Sequence, residues 1–94
     1  MANDVLIPTP LRVYVDKQEV VQAEGNTVGE LLEDLTVKYS DLKKHLYNED
    51  GRLRSFVNIY LNDDDIRYLD REATIVKDGD TISIVPSVAG GGDE

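Results

Sequence analysis

The stretch Thr27–Tyr39 limits the fold more tightly than any other part of the chain. Thr27 followed three residues later by Glu30 is a capping box: the hydroxyl accepts an amide of the first turn, and the carboxylate returns to the cap amide. Val28, Leu31, Leu32, Leu35 and Tyr39 recur at helical spacing and form one apolar stripe, with Glu30, Glu33, Asp34 and Lys38 mostly on the solvated side. A helix with a single apolar face needs a second layer to cover it. The flanking segments are short, rich in β-branched residues and separated by turn residues, so that layer is a sheet.

Before the helix, Asp4 to Pro8 contains the apolar run Val5-Leu6-Ile7, which predicts a buried strand. Pro8 and Pro10 lack backbone donors and break a regular ladder there. Leu11-Arg12-Val13-Tyr14-Val15 alternates like a half-buried strand; it either extends the first strand past a bulge or forms part of a wide connection. Glu19 to Ala23, centred on Val20 and Val21, is the second strand, closed by the turn residues Glu24-Gly25-Asn26.

After the helix, Ser40 and Asp41 offer a fresh cap for a short second helix with Leu42 and Leu46 one turn apart. Asn48 to Gly51 is a loop. In Phe56-Val57-Asn58-Ile59-Tyr60-Leu61 the alternation turns Val57, Ile59 and Leu61 to the core and Phe56, Asn58 and Tyr60 to the opposite face. Asn62 to Asp65 is a tight acidic turn, Ile66-Arg67-Tyr68 a brief returning strand, and Leu69 to Val76 an irregular connection anchored by Leu69, Ala73 and Ile75. Asp78-Gly79-Asp80 is turn chemistry. Thr81 to Val85 is a central strand, ended by Pro86.

This order is strand, strand, helix, strand, short strand, strand. If the first and last strands lie side by side in the middle, they run parallel, joined by a right-handed helical crossover. The expected fold is therefore α+β of the β-grasp, ubiquitin-like kind: a mixed sheet of about five strands packed on one main helix. Residues 1–88 form the domain and residues 89–94 a Gly-rich tail. The glycines from Gly90 to Gly92 lose the most entropy on ordering, so the tail is expected to be mobile. Its plain reading is a frayed terminus; its sharper reading is a thread thin enough to enter another protein's active site.

Ninety-four residues suffice for one small core. Nineteen acidic against ten basic residues give a net charge of −9, which disfavours nucleic acid and anionic membrane surfaces. The absence of cysteine removes disulfides, thiolate metal sites and cysteine nucleophiles together. No apolar run approaches the ~20 residues of a membrane helix and no signal-peptide pattern opens the chain, so a cytoplasmic location is expected. His45, the one histidine, has no catalytic partner at a telling spacing and is expected to face solvent near a helix C-terminus. Asp63-Asp64-Asp65 lacks the ligand alternation of a calcium loop and reads as a solvated turn. Phe56 and Tyr60, without surrounding Lys and Arg, suit a protein contact or packing under a loop. The residues thus point away from an enzyme, a metal site or a bound cofactor.

The tail redirects the argument. Asp78-Gly79-Asp80, Ile82, Ile84, Pro86 and Val88-Ala89-Gly90-Gly91 resemble the C-terminal signature of the ubiquitin-like sulfur carriers, which include the small subunit of molybdopterin synthase and the thiazole-synthesis carrier. The likeness reaches back through Val57-Asn58 and Thr27-Val28-Gly29-Glu30-Leu31-Leu32. Within the family, Phe56 to Asp63 and Ile7-Pro8-Thr9 are most similar to the carriers of thiocarboxylate-dependent cysteine synthesis.

The resemblance implies an ATP-dependent activating enzyme, of the kind that charges ubiquitin, which adenylates a terminal glycine. Sulfur then replaces AMP, and the thiocarboxylate serves a PLP-dependent cysteine synthase or another sulfur acceptor. It implies that Gly91 is the thiocarboxylate residue and that Val88, Ala89, Gly90 and Gly92 belong to the recognised tail. Family members end at Gly-Gly, whereas Gly92-Asp93-Glu94 follow here. Trimming by a zinc metalloprotease is therefore implied, at Gly91 by alignment on Val88-Ala89, with Gly92 the alternative. Phe56 and Tyr60 are the expected docking residues, and Asp63, Asp64 and Asp65 an aid to steering. The other readings are sulfur supply to molybdopterin or thiazole, a ubiquitin-like modifier of lysines, and a β-grasp interaction module that transfers nothing.

Overall fold

The computed structural model describes residues 2–86. Five strands and two α-helices are arranged as β1 (Ala2–Leu6), β2 (Val20–Glu24), α1 (Val28–Lys38), α2 (Ser40–Leu46), β3 (Val57–Leu61), β4 (Asp64–Asp65) and β5 (Thr81–Pro86). The sheet order is β2-β1-β5-β3-β4. β1 and β5 run parallel in the middle, with Val5 opposite Ile82, and the other neighbours pair antiparallel. This is the expected β-grasp.

The helix forms as its sequence dictates. Thr27 Oγ1 accepts the Glu30 amide at 3.2 Å, and Glu30 Oε1 accepts the Asn26 amide, one residue before the cap, at 2.8 Å. Val28, Leu31, Leu32 and Leu35 are completely buried, and Tyr39 is half-buried against the same core. They pack on Val5, Val21, Ala23, Ile59, Ile82 and Ile84 of the sheet, within one cluster that also takes Leu42 and Leu46 of α2. Each such fully buried leucine contributes about 1.5–3 kcal/mol. Only one face of the sheet is covered, so Leu6 in the middle of Val5-Leu6-Ile7 points outward and is 40% exposed.

Several local expectations are corrected. Of the two readings of Leu11 to Val15 the wide connection holds and the extension of β1 does not: the segment lies in a 3₁₀ helix, Thr9–Val15, between β1 and β2. Pro8 and Pro10 set its start, and the Pro8 carbonyl accepts the Leu11 amide at 2.9 Å. Leu11, Tyr14 and Val15 turn inward while Val13 is 63% exposed, so the alternation of Leu11, Val13 and Val15 reflected no pleat. The cap of α2 is Tyr39 without a side-chain hydrogen bond, not Ser40 or Asp41.

The returning strand is Asp64–Asp65, and Ile66–Tyr68 forms a 3₁₀ turn. Asp65 causes this by accepting the Arg67 amide at 2.9 Å, while Ile66 drops into the core. In the following connection Leu69, Ala73 and Ile75 are exposed; the anchors are Thr74 and Val76. The Thr74 carbonyl accepts the Val28 amide, and the Val76 amide donates to the Asn26 carbonyl, which ties this segment to the start of α1.

Candidate functional site: the exit of the central strand

β5 lies between β1 and β3 and is hydrogen-bonded on both sides. Its start is fastened by side chains. Asn3, buried in β1, donates from Nδ2 to the Lys77 and Asp80 carbonyls, both at 2.9 Å. Asn62 donates from Nδ2 to Asp80 Oδ1 at 3.0 Å and accepts the Thr81 amide at 3.0 Å. Asp80 Oδ2 accepts the Lys77 amide at 2.9 Å. The Asn62 hydrogen bond, then the Lys77 amide, hold the Asp80 carboxyl below its ordinary range. Gly79 closes the turn at φ 85, where a side chain would be strained.

The other end opens into a hollow of about 360 Å³, lined by Pro86, Val57, Phe56 and Leu11 with Lys44, His45 and Arg54. Phe56 lies here, in the turn before β3, partly buried against the core. Tyr60 lies elsewhere. It is half-buried on the outer face, so the structure does not bring the two aromatics onto one strand face as the alternation suggested. His45 is also not a plain surface residue: its ring stacks on Tyr14 at 4.2 Å between centroids, and Nε2 is buried without a partner among the described residues. Burial, then Lys44 and Arg54, push its pKa down.

The outer face holds a row that sequence reasoning missed. In register, Val20 lies beside Leu6, Leu6 beside Ser83, Ser83 beside Tyr60 and Tyr60 beside Asp65, across all five strands. Leu6, Val20 and Val85 are each 40–43% exposed there. The signal was the period-2 alternation of β1 and β5, which turns Leu6 and Val85 outward. Within the acidic turn Asp63 and Asp64 are exposed, but Asp65 is buried and paired with Arg67 at 2.7 Å. That hydrogen-bonded guanidinium holds its carboxyl below the usual range.

The expected tail residues Val88, Ala89, Gly90, Gly91 and Gly92, and the domain boundary at residue 88, lie outside the described residues. Among the described residues no three His, Cys, Asp or Glu side chains gather as a metal site requires, and no helix is long and apolar enough to cross a membrane.

A family model described as the ThiS family matches residues 5–91. The sulfur carrier protein CysO of Mycobacterium tuberculosis (strain H37Rv) is 44% identical over 89 residues, which cover 93% of this chain and 96% of that protein. Among solved structures, a chain of the Amycolatopsis orientalis BexX/CysO complex superposes with a TM-score of 0.86 at 41% identity, covering 96% of this chain and all of that one. Small archaeal modifier protein 1 from Methanosarcina acetivorans gives a TM-score of 0.84 at 29% identity, covering 97% and 99%.

Proposed function

The chain belongs to the ThiS family, and from that premise we propose that it is a sulfur carrier whose Gly91 carboxylate is adenylated and then converted to a thiocarboxylate. One observation carries the reading: a central strand locked at its start is followed in the sequence by Val88-Ala89-Gly90-Gly91, and the family match runs to residue 91.

The chemistry asks little of the carrier. A C-terminal carboxylate, ionised at neutral pH with a reference pKa of roughly 3.5, attacks the α-phosphorus of ATP and pyrophosphate leaves. Sulfide then attacks the mixed anhydride, the C–S bond forms, AMP leaves and the thiocarboxylate remains. A persulfide donor would instead give an acyl disulfide; a thiol must then cleave its S–S bond, leaving as a disulfide with the donor, to release the same thiocarboxylate. The thiocarboxylate sulfur adds to an electrophile held by the acceptor, here a PLP-dependent cysteine synthase. The 44% identity to a protein named CysO favours that acceptor over molybdopterin or thiazole synthesis. The carrier itself supplies no catalytic side chain and holds no cofactor; its partners are an ATP-dependent activating enzyme and a sulfur acceptor, met in the cytoplasm.

Docking falls to the outer face. Tyr60, with Leu6 and Val85 exposed on the same face, is the anchor for the activating enzyme, and Phe56 packs near Pro86 at the end of β5. The complex of a related chain with BexX supports a surface that receives a partner. Asp63 and Asp64 are the acidic-turn residues left for steering, since Asp65 is engaged by Arg67.

Gly92-Asp93-Glu94 must be removed first, which a zinc metalloprotease would do. Misplacing a reacting group by ~1 Å can cost about a hundredfold in rate, and these residues displace it by up to ~10 Å. Intact-mass analysis after incubation with activating enzyme, ATP and sulfide tests this. The chain ending at Gly91 should gain the oxygen-to-sulfur mass change at least about a hundredfold faster than the full chain, and faster than one ending at Gly92. Tyr60→Ala should lower the rate about tenfold, as loss of an interface anchor worth just over ~1 kcal/mol would, without unfolding. Equal thiocarboxylation of Glu94 in the full chain would defeat the trimming model. The likeness to small archaeal modifier protein 1 favours a second reading, conjugation to lysines; amide-linked adducts in place of thiocarboxylate would select it.

A further inference from the structure

In a chain of net charge −9, four arginines converge on one groove. Arg52, Arg54, Arg67 and Arg71 line a hollow of about 510 Å³ beside β3 and the turn after β4, over a floor that includes Val57, Ile59 and Ile66. Glu72 is the single carboxylate in the lining. Two of the cations are already engaged: Arg67 pairs with Asp65, and Arg54 Nε donates to the Lys44 carbonyl at 2.9 Å. Arg52 and Arg71 are exposed and make no ion pair among the described residues. Arg71 also holds a left-handed backbone, φ 55, a conformation costly for its residue type and often retained where a side chain has work to do. Gathering like charges is unfavourable unless an anion comes to them. An apolar floor beneath a cationic rim suits an acidic peptide better than a small ion.

We propose that this groove holds the chain's own acidic end, with Asp93 and Glu94 against Arg52 and Arg71. Charge complementarity selects this occupant, and so does the connection. β5 ends at Pro86, whose partner in register, Val57, is part of the groove floor. Arg52 and Arg54 lie just before β3, at the same end of the sheet as the β5 exit. From Pro86 to Asp93 the chain can extend at most about 25 Å, enough to cross from Val57 to the rim in a molecule whose longest dimension is 37 Å. Tethering keeps the effective concentration of the acidic segment near the millimolar range, where a few exposed ion pairs register. The regulatory consequence rests on the trimming reading above: cutting after Gly91 would uncover the groove in the same step that creates the reactive carboxylate. The contact itself does not depend on that reading.

Amide and arginine Nε–Hε NMR spectra of the full chain and of the chain ending at Gly91, at low ionic strength and without any partner enzyme, test the contact. Truncation should shift the signals of Arg52, Arg71 and their neighbours in residues 52–55 and 66–72. The differences should collapse in about 1 M salt, where the screening length is about 3 Å. Asp93→Asn with Glu94→Gln in the full chain should reproduce the truncated spectrum. Arg52→Gln with Arg71→Gly should make the two spectra coincide across the groove, and the glycine relieves the left-handed backbone. Shifts confined to residues beside the cut would overturn the proposal. So would shifts that grow with protein concentration, because the occupant would then be the tail of a second copy. No sulfur chemistry enters the measurement, so a failed thiocarboxylation assay and a failed contact are told apart.

Discussion

At its start β5 is gripped by Asn3 from β1 and by Asn62 from the turn after β3, and the polar atoms brought together there are paired with one another. At its end the neighbours are Lys44, Arg54 and a histidine whose buried nitrogen has no partner among the described residues. Leaving a buried polar atom unpaired costs roughly 1–3 kcal/mol, whereas pairing it returns about 1. The two ends of one strand therefore play different parts. The start secures the fold; the far end leaves the His45 ring nitrogen without a partner among the described residues. A carrier needs the first, because a thread is delivered accurately only from a strand that does not shift.

If this contrast is right, damage at the start should be costly to stability. Asn3→Ala removes two hydrogen bonds from a side chain only 4% exposed and takes the buried donor from the Lys77 and Asp80 carbonyls. It should lower stability by roughly 2–3 kcal/mol, read as a shift in urea midpoint at constant slope. A loss below about 0.5 kcal/mol would mean that the ladder alone holds β5. Asn62→Ala should cost less, roughly 1.5 kcal/mol. Its hydrogen bonds are exposed, though alanine is also ill suited to φ 57. Asn62→Gly should recover part of that loss by accepting the backbone, and equal losses in the two variants would assign the whole effect to the side chain.

Where the chain was legible, local and global preferences agreed. Thr27, Glu30 and the stripe from Val28 to Leu35 act within a few residues of one another, and the fold buries every one of those apolar members. The alternation in β3 likewise put Val57 and Ile59 inside. Leu11-Arg12-Val13-Tyr14-Val15 stayed open between strand and connection because a five-residue apolar pattern fits two periods, and the prolines before it decided for 3₁₀. Features that depend on register or on distant segments left no local mark. The outer row from Val20 to Asp65 exists only once five strands are aligned. The arginine groove draws on residues flanking β3 and following β4. The position of His45 is set by Tyr14, from the distant connection between β1 and β2.

That histidine allows the finest test of the contrast, and the smallest effect expected. Burial, Lys44 and Arg54 all lower its pKa, and Asp41 only partly opposes them. The folded state therefore prefers neutral imidazole, whereas the unfolded chain takes up a proton near pH 6.5. The contribution of His45 to stability is fully present above that pH. It declines as pH falls through about 6.5 towards the lower folded value, below which both states are protonated and the loss levels off. Asp34, Asp65 and Asp80 are all held below their ordinary carboxylate value of 3.8, so their losses begin at lower pH and leave this window clear. Denaturant midpoints measured from about pH 7.5 to pH 5 should fall for the wild-type chain. His45→Phe keeps a ring against Tyr14 without the titrating nitrogen and should flatten that slope. Parallel slopes would place the titration elsewhere and leave the exit no more polar than the start. A flat profile in the variant would instead assign the slope to the imidazole of His45, whose Nε2 is buried.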